Sequence, residues 1–293
     1  MSENILDVLR RGELVISDGA FGTMLQAKGL PGGVMPEAWN LEHPEVVREV
    51  HRAYLAAGAQ SITANTFGGN RIRLRDGGLA DRLVEVNQRG ITLAREAVGE
   101  RAWVAASIGP TGHLMDPLGD LTIEQAEALY AEQIVAVAEA GADLLLLETH
   151  HDIEEACCAI RMAKAHTSLP VFCSFAFNAK GRTMMGLRPE VAARRAREEG
   201  ADAVGANCGD GPAAILAALE KMRGATDLPL IAQSNAGIPQ VGADRETVWD
   251  VTPEQMAAHA LTFVSLGARF VGGCCGTNPD HIAALAAALR QQS

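Results

Sequence analysis

Short apolar runs recur along this chain, each followed by a stretch with helical periodicity. They read Leu14–Asp18, Ser61–Asn65, Trp103–Ile108 and Asp143–Glu148, then Val171–Phe175, Ala203–Asn207, Leu230–Ser234 and Arg269–Gly272. Runs of this length, with turn residues beyond them, predict parallel strands buried on both faces. Amphipathic helices lie between. The helix predicted over His43–Ala57 starts with Pro44, suited to a first turn, and stops at Gly58. Thr122–Ala140 opens with Thr-Ile-Glu-Gln, a capping-box pattern, and stops at Gly141. Further helices are predicted around 190–199, 212–223, 253–266 and 279–290. A Gly-Ala pair hands helix to strand at 58–59, 141–142, 200–201 and 267–268, and the glycine fits the C′ position of the ending helix.

Eight strands alternating with helices predict an α/β fold, a closed (β/α)8 TIM barrel more than an open sheet. An open doubly wound sheet would normally place Gly-x-Gly-x-x-Gly after its first strand, which Asp18-Gly-Ala-Phe-Gly22 does not match. No Pro/Ser linker or low-complexity tract interrupts the 293 residues, so 1–293 is read as one barrel domain. The long loop Gly29–Asn40 is expected to overhang the barrel mouth.

Composition adds exclusions. The formal charge of −11 argues against nucleic acid as the main partner, because phosphate contacts need a basic face. Met1-Ser-Glu-Asn-Ile5 is no secretory signal, and no apolar run approaches the roughly 20 residues of a membrane helix. A soluble cytoplasmic protein is expected, with no membrane partner. In that compartment the six cysteines are read as thiols or ligands rather than disulfides.

The polar residues gather at strand ends. Asp18, Asn65, Thr66, Glu148, Asn207, Cys208, Asn235, Cys274 and Cys275 all fall at or just past them, and in a barrel those ends form the active-site face. Three convergent thiolates suit zinc with a fourth position open, provided the glycines beside Cys274 and Cys275 let the chain turn. Spacing alone leaves metal ligation and buried thiols equally open, since no Cys-x-x-Cys pair is present. The glycine-rich 272–277 segment can also be read as a phosphate loop, but it holds no basic residue. Cys157, Cys158 and Cys173 are expected to be buried in helix or strand, and His150 and His151 to be neutral loop residues. Asp18 and Glu148 either cap the helices that follow or hold a substrate ammonium, with the backbone N–H groups of Gly19, Ala20, Phe21 and Gly22 taking a carboxylate.

These motifs carry a resemblance. Asp18-Gly-Ala-Phe-Gly-Thr-Met24, Trp39-Asn40, Thr63-Ala-Asn-Thr-Phe67, Ser107-Ile-Gly-Pro-Thr-Gly112, Glu148-Thr149, Gly205-Ala-Asn-Cys208, Asn235-Ala-Gly237 and Gly272-Gly-Cys-Cys-Gly-Thr277 span nearly the whole chain. It resembles the homocysteine S-methyltransferases, in particular the N-terminal homocysteine module of cobalamin-dependent methionine synthases. The resemblance implies zinc on Cys208, Cys274 and Cys275, with the sulfur of homocysteine in the fourth position. It also implies the substrate ammonium at Glu148 and the Asp18 segment, the carboxylate at nearby amides, and Asn235 close to the metal. The segments Leu118–Thr122 and Lys180–Arg182 favour the cobalamin-dependent kind, with methylcobalamin carried by another module and with cobalamin-binding and folate-binding modules or subunits as partners. The alternatives are a stand-alone enzyme using S-methylmethionine or betaine, a corrinoid-linked methyltransferase with another acceptor, and a zinc-storing or structural zinc protein.

Overall fold

The computed structural model describes residues 3–241 and 247–291. Its barrel strands are β1 (Val15–Ile16), β2 (Ser61–Thr63), β3 (Trp103–Ile108), β4 (Leu144–His150), β5 (Val171–Phe175), β6 (Ala203–Cys208), β7 (Leu230–Ser234) and β10 (Ala268–Gly273). Between β7 and β10 a short antiparallel ladder pairs β8 (Gln240–Val241) with β9 (Thr247–Val248). The barrel strands run in the order β1-β10-β7-β6-β5-β4-β3-β2, all parallel. A parallel bridge between Ser17 and Ser61 brings the two ends of that order together. Gln60 N–H donates to the Ile16 carbonyl at 2.7 Å there, and the Gln60 side chain accepts from Ile16 N–H at 3.0 Å. The sheet is therefore a barrel.

Alternation along the strands builds two cores, because neighbouring residues point to opposite faces. Trp103 and Ala105, Leu144 and Leu146, Phe172, Ala203, Ile231 and Phe270 point inward and pack together. Val104, Ala106, Leu145 and Leu147 point outward, into the layer shared with the helices. The inner core also takes Ile5, Leu6, Val8 and Leu9 from a helix over Ile5–Arg10, which plugs the floor of the barrel. The sequence pattern predicts no element over those residues. A single turn and a half leaves too little periodicity to register.

The helix boundaries follow the expected signals. Pro44 occupies the first turn of Pro44–Ala56, and Thr122 with Gln125 forms a capping box on Ile123–Glu139. Gly58, Gly141, Gly200 and Gly267 all adopt positive φ, between 88° and 104°, as the repeated handover pattern requires. The segment predicted as the loop Gly29–Asn40 is partly helical, with a 3-10 turn at Pro36–Ala38 running into Trp39–Glu42. Among the described residues no helix is long and apolar enough to cross a membrane.

The β6–β7 contact depends on Gly205, where a Cβ would lie 2.0 Å from the Ile231 carbonyl oxygen. Gly205→Ala is expected to destabilise the fold by about 1–3 kcal/mol or more through overpacking. Gly224→Ala, at a position with open space and negative φ, is expected to be neutral or slightly stabilising. Denaturant titration of both variants checks the pair, and a stable Gly205→Ala would refute the close approach.

Candidate active site

Register places the cysteines. Cys208 pairs with Ser234 across β6 and β7, and Ser234 pairs with Gly273 across β7 and β10. The three positions are therefore level, and the chain beyond Gly273 turns in over the same strand end. Cys208 itself sits at φ 58°, in the left-handed region, which costs a non-glycine residue about 1–2 kcal/mol. That turn departs from strand geometry just where the thiol must face the mouth. Gly209 continues it at φ 62°, and a Cβ there would meet the Phe177 carbonyl at 2.1 Å. On the other side Gly276 packs against Trp249, with no room for a Cβ.

The three Sγ atoms lie within 4.8 Å of one another, and Cys208 and Cys275 are 3.9 Å apart. A tetrahedral zinc with Zn–S near 2.3 Å needs sulfurs about 3.8 Å apart, so the cluster fits with a modest contraction. The electrostatics agree. Hydrogen bonds from Cys274 and Cys275 pull the Cys208 thiol down to about 3. The hydrogen bonding within the trio, with burial, pushes Cys274 far up, and hydrogen bonding to Cys208, with burial, takes Cys275 up to about 12. Asn235, whose amide adjoins Cys208, donates to the Gly209 carbonyl at 2.9 Å, while its buried Oδ1 has no partner among the described residues. The donor set and that spare oxygen fit a thiophilic cation.

Cys208, Cys274 and Cys275 line a cavity of about 400 Å³ at the strand ends, together with Gly19, Ala20, Phe21, Gly22, Asn65 and Glu148. A larger groove of about 520 Å³ between Arg71 and Glu132 contains none of the expected site residues. Glu148 hydrogen-bonds the Ser107 hydroxyl, and burial raises its pKa to about 7, with the charges of Asp18 and Cys208 adding to the rise. Asp18 sits deeper, its carboxylate accepting from Thr63 N–H at 2.8 Å and Thr63 Oγ1 at 2.7 Å, and burial raises it to about 6. Neither acid forms a salt bridge among the described residues. Neither caps a helix: the helix Gly22–Ala27 has no side-chain cap, and Asp152 caps Ile153–His166. Glu148 on the cavity wall, without a basic partner and with the charge of Asp18 acting on it, is complementary to a cation.

Other expected residues take supporting places. Ala20 N–H is already bonded to Thr277 Oγ1 at 3.1 Å. Thr66 donates its hydroxyl to the Ser107 carbonyl at 2.8 Å and is not part of the lining. Asn65 is on the lining, but its Nδ2 donates to the Pro36 carbonyl at 2.7 Å and to Asn40 Oδ1 at 2.9 Å, anchoring the overhanging segment. That segment adds Met35 and the buried Glu37 to the cavity wall. Cys157, Cys158 and Cys173 are fully buried away from the cluster. His150 is the last residue of β4 rather than a loop residue, and burial lowers it to about 4, keeping it neutral. Thr63, Ser107, Gln233 and Arg73 also line the cavity without having been singled out as site residues. The first two lay inside motifs that carried the resemblance, which was the available signal. Tyr54, whose hydroxyl ties the Ala20 and Thr277 carbonyls at 2.7 and 3.2 Å, reads in the sequence as one more helix-core position.

The sequence profile of the homocysteine S-methyltransferase family matches residues 15–289. Methionine synthase of Mycobacterium tuberculosis is 32% identical over 98% of this chain, and that of Mycobacterium leprae 31% over the same share. The chain spans about a quarter of the length of these two relatives, 25% of each. Among solved structures, the metallated form of the homocysteine methyltransferase MmuM from Escherichia coli superposes with a TM-score of 0.83. It is 26% identical, over 97% of this chain and 99% of that one.

Purified protein is expected to carry about one zinc per chain, as a site with three thiolate ligands predicts. Changing Cys208, Cys274 or Cys275 to Ala should each abolish it, whereas Cys173→Ala should not. Elemental analysis decides, and full zinc content in all three cluster variants would remove the site.

Proposed function

Since the chain belongs to the homocysteine S-methyltransferase family, we propose that it transfers a methyl group to the thiol of homocysteine, giving methionine, with zinc held by Cys208, Cys274 and Cys275. One observation carries this reading: a trio of thiols and the Glu148 carboxylate, which has no salt-bridge partner among the described residues, face the same small cavity, with the charge of the buried Asp18 acting on Glu148. A thiol bearing an ammonium group a few bonds away satisfies both.

The residues divide the work. The thiolate, not the thiol, is the nucleophile, and a free thiol with pKa near 8.5 is mostly protonated at neutral pH. Bound zinc would supply the missing positive charge, so that the substrate sulfur stays deprotonated. Glu148 would accept the substrate ammonium, with the negative charge of Asp18 behind it. The amides of Phe21 and Gly22, which open the helix Gly22–Ala27, are on the lining and would take the carboxylate. Held at both ends, the sulfur has little freedom left, which converts part of the encounter barrier into prior binding. The sulfur lone pair then forms the new bond to the methyl carbon, the donor leaves with the electron pair of the broken bond, and the thiol proton has already gone to solvent.

The donor proposed is methylcobalamin, presented across the mouth by a cobalamin-bearing module or subunit. The support is the likeness to methionine synthases of which this chain covers only a quarter. A stand-alone enzyme with a small onium donor such as S-methylmethionine is the second reading. It is favoured by the near end-to-end match with a single-barrel homocysteine methyltransferase. A donor screen with homocysteine separates them. Slow turnover with free methylcobalamin, and none with methyltetrahydrofolate alone, supports the first; robust turnover with S-methylmethionine or betaine and none with methylcobalamin establishes the second.

Glu148→Gln should retain zinc and weaken homocysteine binding by about one to two decades, the worth of a charge-assisted hydrogen bond at roughly 1.5–3 kcal/mol. Calorimetry on the zinc-loaded variant reads this directly. Unchanged affinity would return Glu148 to a purely structural role.

A further inference from the structure

We propose that Asn207 is a positioning residue that ties Glu148 to the Cys274 thiol and thereby sets the distance between the ammonium and sulfur sites; the proposal rests on the homocysteine reading above. Asn207 is fully buried, next in the chain to Cys208 and level with Gln233 on β7. Its Oδ1 accepts from the Thr149 backbone N–H at 2.8 Å and from the Ser174 hydroxyl at 2.8 Å. An amide oxygen has two lone pairs, so both are used. A backbone N–H can only donate, which fixes the amide orientation and leaves Nδ2 on the opposite side.

Nδ2 carries two hydrogens and meets three acceptors. Thr149 Oγ1 at 2.7 Å takes one. The other is left between Glu148 Oε2 at 3.5 Å and Cys274 Sγ at 3.8 Å, both long, as a hydrogen shared between two acceptors requires. A single N–H thus bridges the acid read as the ammonium site and a sulfur of the metal trio. The same amide grips Thr149 at both its N–H and its hydroxyl, and Thr149 is one of two non-glycine residues with positive φ among the described residues, at 64°. Such a conformation persists only where the surroundings hold it. Here it turns the chain directly after Glu148. Asn207 therefore fixes the carboxylate on β4 relative to the thiols at the end of β6 and just past β10, and with it the spacing demanded of the acceptor: a thiol and an α-ammonium at one set separation.

The test compares two thiols on zinc-loaded protein: homocysteine and 4-mercaptobutanoate, which has the same chain without the amino group. Parent, Asn207→Ala, Asn207→Gln and Ser174→Ala are titrated by calorimetry. Gln keeps an amide that can satisfy its buried neighbours but displaces the bridging N–H, so it serves if the Ala variant fails to fold. Ser174→Ala removes one bond of the same amide on the side away from the site. Asn207 variants are expected to lose about tenfold to a hundredfold in homocysteine affinity, the range of one charge-assisted hydrogen bond, and little for 4-mercaptobutanoate. Ser174→Ala should bind both as the parent does. With cobalt in place of zinc, the sulfur-to-metal charge-transfer band should shift in the Asn207 variants and not in Ser174→Ala. Equal losses for both thiols, or none, would overturn the positioning role while leaving the homocysteine reading intact, and an unshifted band would overturn the link to Cys274. A parent that binds the two thiols alike would overturn the ammonium site and this proposal with it.

Discussion

The level pairing of Cys208, Ser234 and Gly273 across three adjacent parallel strands is the constraint on which the site depends. It sets two chain ends on either side of β7, about two strand spacings or roughly 9.5 Å apart. Three sulfurs can meet over such a gap only if both ends leave strand geometry at once. The chain does so on one side with a strained cysteine followed by a glycine, and on the other with a glycine-flanked turn seated on Trp249. A shift of one residue in either ladder would send the thiols to the opposite face, so the register of the barrel and the geometry of the thiol trio are one property.

Charge explains why this arrangement needs company. Three thiols and the Glu148 carboxylate line one cavity, the buried Asp18 acts on Glu148 from outside that lining, and no lysine or arginine forms a salt bridge with either acid among the described residues. Burial pushes Glu148 and Asp18 upward, and hydrogen bonding within the thiol trio, with burial, does the same to Cys274 and Cys275. The protein by itself is an unbalanced receptacle. A divalent thiophilic cation at one end and an ammonium at the other would restore the balance, and the proposed reaction would bring both. The cost of preparing the cavity is met by the surrounding fold, through the plugged floor, the Tyr54 tie between the loops after β1 and β10, and the Asn65 anchor of the overhanging segment.

The anchoring also shows how a loop becomes a wall. The Pro31-Gly-Gly33 run signals a loop, yet Pro36–Ala38 and Trp39–Glu42 are helical. Asn40 donates to the Asn65 and Val86 carbonyls at 2.8 and 3.1 Å, and Glu37 accepts from Gly68 N–H at 2.6 Å. Each of these partners comes from the strand-end segment after β2 or the helix Leu83–Val98. Local propensity had little to say here; tertiary hydrogen bonds decided.

The sequence by itself determined the alternation of strands and helices, the boundaries marked by Pro44, Thr122 and the four handover glycines, and the candidate ligands Cys208, Cys274 and Cys275. Those signals are local: a period of two or of 3.6, a cap three residues from its partner, a glycine where φ must be positive. Tertiary structure alone decided that the three thiols converge, that Asp18 is locked to Thr63, that Thr66 faces Ser107 rather than the cavity, and that Asn207 bridges acid and thiol. Each of these contacts joins different strands, and in a barrel the partner of a strand-end residue is set by strand order, ladder register and a backbone turn, none of which any one segment encodes.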